Sequence, residues 1–297
     1  MIGNLINKID KILGVICFNN LNPLSYCLFN FYYKKKILSI KSIHDNGNLK
    51  EFNEHGFSKI NNINLDTLKK INLELKLQNP KKEKNNRFQY KMNLNIINLI
   101  KKIIDTDFNF LLRDLSKYYN SNIYLGHVLI TRNYNYDPEE GEAYSSYFHC
   151  DGYLNTYFKI LVNLSDVSDE MGPIHIINKK DTKKNIGLLK YNSRNLKKEK
   201  SIKSKIFKNI SKLGDGLLIN TTECLHKAGI PSKGKYRDML YLVFCAYPNE
   251  SQNIYNYEKL DGSIWETYSN LVKKLAKPHG FKNIFRLYKN FSNRIVQ

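Results

Sequence analysis

The sequence predicts an α+β protein with a double-stranded β-helix, or jelly-roll, core buttressed by N-terminal and C-terminal helices. Three observations predict it. Between positions 123 and 248 the chain breaks into six short runs rich in β-branched and aromatic residues, 128–134, 144–149, 157–164, 174–178, 216–220 and 239–247, and short strands at this spacing make a sandwich or barrel. Turn chemistry separates them: Asp137-Pro138-Glu139-Glu140-Gly141, Asp169-Glu170-Met171-Gly172-Pro173, Leu213-Gly214-Asp215-Gly216 and Pro231-Ser232-Lys233-Gly234. Helical periodicity flanks this half on both sides.

Taken in order, residues 1–50 show no clear period and read as an N-terminal extension. Residues 51–250 form the jelly-roll domain with its N-terminal helices, and 251–297 a C-terminal helical segment. Within the domain, Glu54-His55-Gly56-Phe57 is a turn leading into a short strand, and 66–77 carries Leu68, Ile71 and Leu75 at helical spacing until Pro80 stops it. Residues 94–104 place Ile96, Ile97, Ile100, Ile103 and Ile104 on one side, and Asp107 is positioned to cap a second helix carrying Leu111, Leu112, Leu115 and Tyr118. After the strands, Ser263 and Glu266 make a capping box for a helix with the stripe Trp265, Tyr268, Val272 and Leu275.

Composition excludes several classes. Hydrophobic residues make up 42% of the 297, which is too rich for a disordered chain. No apolar run approaches the roughly 18–20 residues of a membrane-spanning helix. Five cysteines (Cys17, Cys27, Cys150, Cys224, Cys245), odd in number and without a CxxC pair, argue for reduced thiols and a cytoplasmic protein. The net charge of +20 permits anionic partners and names none. Its placement says more: positions 179–212 hold thirteen Lys or Arg against Asp181 and Glu199. That stretch reads as a disordered, solvated charge run, the functional alternative being guidance of an anionic substrate.

The chemistry-bearing residues are His149, Asp151, His226 and Arg237. On a strand, side chains at i and i+2 share a face, so His149 and Asp151 can both point into a barrel mouth. His226 follows the turn at Gly214-Asp215-Gly216 and a strand that delivers it to the opposite wall. Two His and one carboxylate on one side of a ferrous ion leave three positions open, as oxygen chemistry requires. His-x-Asp alone is an unspecific pattern in a chain with seven His and 27 acidic residues; the ordered context after it is what gives it weight.

That ordered context resembles the phytanoyl-CoA dioxygenase family of iron(II)- and 2-oxoglutarate-dependent oxygenases. The matching pieces are His149-Cys150-Asp151-Gly152, then Asp169-Glu170-Met171-Gly172-Pro173-Ile174-His175, then Gly214-Asp215-Gly216 leading to His226, then Arg237 eleven positions on. They span about 120–250, with Glu54-His55-Gly56-Phe57 similar to the family's opening. The chain departs from the family at Asn178-Lys179-Lys180-Asp181, where a Pro-Gly-Ser-His sequence is common.

The resemblance implies Fe(II) held by His149, Asp151 and His226, and 2-oxoglutarate with its far carboxylate on Arg237, whose planar guanidinium suits a two-pronged pair. It implies a dioxygenase that consumes O2, releases succinate and CO2 and hydroxylates a small or carrier-bound, possibly anionic, metabolite. Asp151 speaks for hydroxylation, because related halogenating enzymes carry a small residue there. A second 2-oxoglutarate contact is expected from strand 128–134, with Arg132 and Tyr134 both open as candidates. His175 and His127 read as structural, and residues 133–147 as a polar aromatic loop over the site. The competing reading is a catalytically inactive jelly-roll binding module whose basic surface contacts nucleic acid or another anion, although no recognised nucleic-acid motif is present. A cupin-like isomerase would need a His-x-His pattern, which the chain lacks.

Overall fold

A computed structural model describes residues 47–82, 86–119, 122–151, 157–186 and 199–247. The capping box at Ser263 and the predicted C-terminal helix lie outside the described residues, as do positions 1–46 of the N-terminal extension. Among the described residues, no helix is long and apolar enough to cross a membrane.

Helix α1 (Gly47–His55) buries Leu49 and Phe52 and turns at Gly56 into strand β1 (Phe57–Ile60). Helix α2 (Leu65–Lys76) starts where the Asn64 side chain accepts from the Thr67 N–H at 2.9 Å, and buries Leu68, Ile71 and Leu75. Helix α3 (Leu94–Thr106) is capped in the same way by Asn93, and its four buried isoleucines, Ile96, Ile100, Ile103 and Ile104, fall at helical spacing. Each such side chain contributes on the order of 2 kcal/mol by leaving water. Helix α4 (Asn109–Tyr119) buries Leu111, Leu112, Leu115 and Tyr119. Asp107 does not cap it: the residue ends α3, and its carboxylate accepts instead from the Asn64 N–H at 2.9 Å.

Strands β2 (Lys81–Lys82), β3 (Arg87–Gln89), β4 (Asn122–Tyr134), β5 (Tyr157–Asn163), β8 (Gly216–Ile219) and β10 (Tyr236–Tyr247) join β1 in a seven-stranded sheet of order β1-β8-β5-β10-β4-β3-β2. Strands β6 (Ile174–Ile176), β7 (Phe207–Lys208) and β9 (His226–Ala228) make a second sheet of order β7-β6-β9. All the pairings are antiparallel. One face of the large sheet, with Ile130, Ile160, Val162, Leu218, Leu240 and Leu242, packs on the helices. The other, with Leu161, Leu217, Ile219 and Met239, packs on Ile174 and Ile176 of the small sheet. This is the expected jelly roll, with helices on its outer face.

The structure departs from the sequence expectation in three places. Residues 144–149 are not a strand: Tyr144 and Ser145 form a turn with φ of 34° and 64°, and only His149 makes an isolated bridge. The basic stretch 179–212 begins as helix α5 (Lys179–Ile186) and includes β7, so its described parts are ordered by packing. Strands β7 and β9 are two and three residues long, too short for an alternating pattern to register in sequence. The turn that feeds β6 depends on Gly172, at φ 64°, where an added Cβ would meet the Gly229 carbonyl oxygen at 2.6 Å.

Candidate metal centre

The loop that follows β4 ends by pairing with β9. His149 N–H donates to the His226 carbonyl at 3.0 Å and His226 N–H to the His149 carbonyl at 2.9 Å. Residues directly opposite in an antiparallel pair share a face, so the two imidazoles lie side by side with ring centroids 4.4 Å apart. The extended chain runs on to Asp151, whose N–H donates to the Thr221 carbonyl at 2.8 Å. The i, i+2 parity read from sequence therefore holds without a regular strand. Asp151 Oδ1 stands 3.6 Å from His149 Nε2 and 4.0 Å from His226 Nε2. One ligand atom from each of the three residues lies within 4.8 Å of the others, an arrangement able to hold a metal ion.

Hydrogen bonding sets the tautomers. His149 Nδ1 lies 2.8 Å from the Tyr147 carbonyl and His226 Nδ1 3.0 Å from the Cys224 carbonyl. A carbonyl can only accept, so each Nδ1 carries the proton and each Nε2 offers its lone pair to the centre. Burial, reinforced by the neighbouring His149, holds the His226 pKa down to about 3, so the ring is neutral at physiological pH. Burial works to raise the Asp151 pKa, but Lys159 and the two imidazoles prevail and keep its carboxyl well below the usual range. The donor set is thus two imidazoles, that of His226 neutral, and one carboxylate, matching what ferrous iron takes in a facial site. Lys159, on β5, donates to Asp151 Oδ2 at 2.7 Å.

Register places the rest. On β10, Arg237 sits opposite Asn133, Met239 opposite Asn163 and Val243 opposite Lys159, so all of these share the inner face. Arg237 is 0% exposed; Tyr241 is its hydrogen-bonding neighbour, and among the described residues no carboxylate pairs with its guanidinium. Its polar neighbours are Tyr241, further along β10, and Tyr144 from the loop above; burial pulls its pKa down and both tyrosines oppose that. Burial raises the Tyr241 pKa, yet Arg237, Arg87 and Lys159 together bring it below the ordinary value. A buried cation without a carboxylate partner is costly, so this pocket fits a carboxylate ligand.

Arg132 and Tyr134 do not join it. They lie one residue out of phase with Asn133, on the helix-facing side of the sheet. There Arg132 makes a two-pronged pair with Asp238, Nε to Oδ1 at 2.8 Å and Nη2 to Oδ2 at 2.6 Å, with its guanidinium 4.0 Å above the Tyr236 ring. Tyr134 meets Phe88 edge-on at 5.3 Å. Neither side chain therefore shares the face that carries Arg237. His175 pairs with Lys227 and Lys208, away from the triad. Cys150 and Cys224 are free thiols whose pKa values burial pushes up, and Cys224 packs in the inter-sheet core.

Sequence reasoning missed Lys159, Tyr241 and Asn133. A signal for Lys159 was present: it is the one charged residue in the apolar run Tyr157-Phe158-Lys159-Ile160-Leu161-Val162. Tyr241 follows Arg237 by four, the same parity on a strand.

No family model matches this sequence, and no curated protein matches it. Solved structures do match in fold. The non-heme alpha ketoglutarate dependent epimerase SnoN from nogalamycin biosynthesis is 12% identical, over 69% of this chain and 86% of that one, with a TM-score of 0.51. EctD from S. alaskensis, solved with 2-oxoglutarate and 5-hydroxyectoine, is 11% identical over 72% of this chain and 83% of its own, with a TM-score of 0.50. At these identities the likeness establishes a shared fold, the one that those 2-oxoglutarate proteins use.

Proposed function

We propose that this chain is an iron(II)- and 2-oxoglutarate-dependent dioxygenase of the phytanoyl-CoA dioxygenase-like kind, with 51–250 as its catalytic domain. It hydroxylates a small or carrier-bound metabolite. The observation that carries the reading is the pairing of a two-His, one-carboxylate cluster with a fully buried Arg237, to which no carboxylate among the described residues pairs, on one inner face. The fold it shares with SnoN and EctD, the first named for its alpha ketoglutarate dependence and the second solved with 2-oxoglutarate, supports the same reading.

His149, Asp151 and His226 would hold iron through Nε2, Oδ1 and Nε2, and Arg237 would take the far carboxylate of 2-oxoglutarate. Bound iron and 2-oxoglutarate would supply the oxidant: O2 is consumed, 2-oxoglutarate becomes succinate and CO2, and a substrate C–H becomes C–OH. The carbonyls of Tyr147 and Cys224 hold the two imidazoles in the metal-binding tautomer. Lys159 occupies Oδ2 of Asp151 and so commits that carboxylate to ligation through one oxygen. Burial of Arg237 excludes water that would compete for a carboxylate and strengthens the pair. The positive potential of Arg237 and Arg87 around Tyr241 suits the negatively charged co-substrate.

The test is anaerobic titration of the protein with Fe(II) and 2-oxoglutarate. Wild type should develop a weak visible charge-transfer band and, in air, release succinate; His149→Ala and Asp151→Ala should do neither. Wild type that binds no metal would sink the reading.

A further inference from the structure

The basic stretch 179–212 departs most from the solvated run its composition suggests, and its described parts lie behind the metal ligands. Helix α5 reaches the His226 side: the Leu225 N–H donates to Thr182 Oγ1 at 2.9 Å, and the Thr182 hydroxyl donates to the Ile177 carbonyl at 3.0 Å. The stretch then returns at Glu199, one of its two acids. Glu199 Oε2 accepts from the Phe148 N–H at 3.4 Å, and Oε1 pairs with Lys227 Nζ. Phe148 precedes His149 and Lys227 follows His226, so one carboxylate touches both ligand-bearing segments. Lys227 Nζ also lies 5.0 Å over the Phe148 ring. Ile202 packs on the small cluster of Phe148, Ile177 and Leu225 beneath. The Glu199 and Lys227 side chains are 14% and 19% exposed, too enclosed for a surface ion pair of negligible worth.

We infer that Glu199 is a positioning residue for the metal centre: it clamps Phe148–His149 to His226–Lys227 from outside, and sets the separation of the two imidazoles. The acid in the basic stretch is thus its functional member, and the stretch acts as a brace. The inference rests on the reading that His149, Asp151 and His226 bind a metal. Groups that orient ligands without touching the metal commonly carry a 10–100-fold effect on affinity.

Cobalt(II) binding to the full chain, followed by calorimetry and by the visible spectrum well below the melting temperature, provides the test. Glu199→Ala should weaken cobalt at least about 10-fold and shift the visible bands, while Glu199→Gln, which can still accept from Phe148, should lose less. Lys227→Met should also weaken binding, because it frees one end of the clamp. If Glu199→Ala does not fold, the Glu199→Gln and Lys227→Met pair decides. Variants with wild-type affinity and spectrum, beside a His149→Ala control that loses cobalt, would overturn the clamp and leave the metal reading standing. Wild type that binds no cobalt overturns both.

Discussion

Lys159 and Asp151 form an ion pair of 2.7 Å inside the protein, the lysine 18% and the aspartate 11% exposed. The ammonium neutralises a carboxylate that would otherwise be buried beside the neutral imidazole of His226. Removing one partner of such a pair costs about 3 kcal/mol or more. Lys159→Met should therefore melt well below wild type when metal is chelated. A divalent cation can take over the ammonium's charge, so added cobalt should raise the variant's melting temperature more than it raises that of wild type. Equal metal-induced shifts would show that the pair does not carry this charge.

Arg237 makes the opposite prediction. Its guanidinium is fully enclosed and pairs with no carboxylate among the described residues, so Arg237→Leu removes a charge that burial penalises. Without 2-oxoglutarate this variant should melt a few degrees higher than wild type, about 1 kcal/mol of stability corresponding to roughly 2–4 °C in a chain of this size. Saturating 2-oxoglutarate should stabilise wild type and leave the variant unmoved. A variant still stabilised by 2-oxoglutarate would place the co-substrate's carboxylate elsewhere.

Arg132→Ala should separate the two arginines. Its two-pronged bond to Asp238 lies on the helix-facing side of the sheet, and loss of charge-assisted hydrogen bonds there costs about 2 kcal/mol. Chemical denaturation should show that loss, while 2-oxoglutarate affinity measured by calorimetry stays within about twofold of wild type, an interval below roughly 0.5 kcal/mol. A tenfold weaker affinity would reinstate Arg132 as a co-substrate contact.

Acid should weaken the fold before ordinary carboxylates protonate. Burial, then Lys227 and Lys208, hold the His175 pKa at about 4 against its ordinary 6.5. Between those values the unfolded chain takes up a proton that the native chain refuses, so stability present above 6.5 is lost as the pH falls toward 4. His226, held down to about 3, adds to the same slope. Melting temperatures of metal-free protein across this window should fall with pH, and His175→Gln should flatten the decline. Parallel profiles for the two proteins would count against His175 as a contributor.

Much of the fold was legible because its signals are local. The isoleucines of α3 recur at helical spacing, and the turns around Gly172 and Gly214 separate strands that form. Asp107 misled because a residue between two helices can serve either, and a hydrogen bond to Asn64, distant in sequence, decided the matter. Strand β9 was illegible: three residues carry no period, and they are ordered by β6 and by the bridge to His149.

The sequence by itself determined the candidate ligand types, their order and their parity. His149 and Asp151 two apart, His226 after a Gly-rich turn and Arg237 opening the last strand are covalent facts that any extended backbone would present on consistent faces. Tertiary structure alone decided which face that was and what joined it. Pairing Arg237 with Asn133 sent Arg132 and Tyr134 to the helices, since a shift of one residue in a strand reverses the side of every side chain. The same register brought Lys159 to Asp151 and Tyr241 beside Arg237, and the return of the chain at Glu199 set a carboxylate across both histidine segments. Such contacts depend on strand order and loop closure, and neighbours in sequence do not encode them.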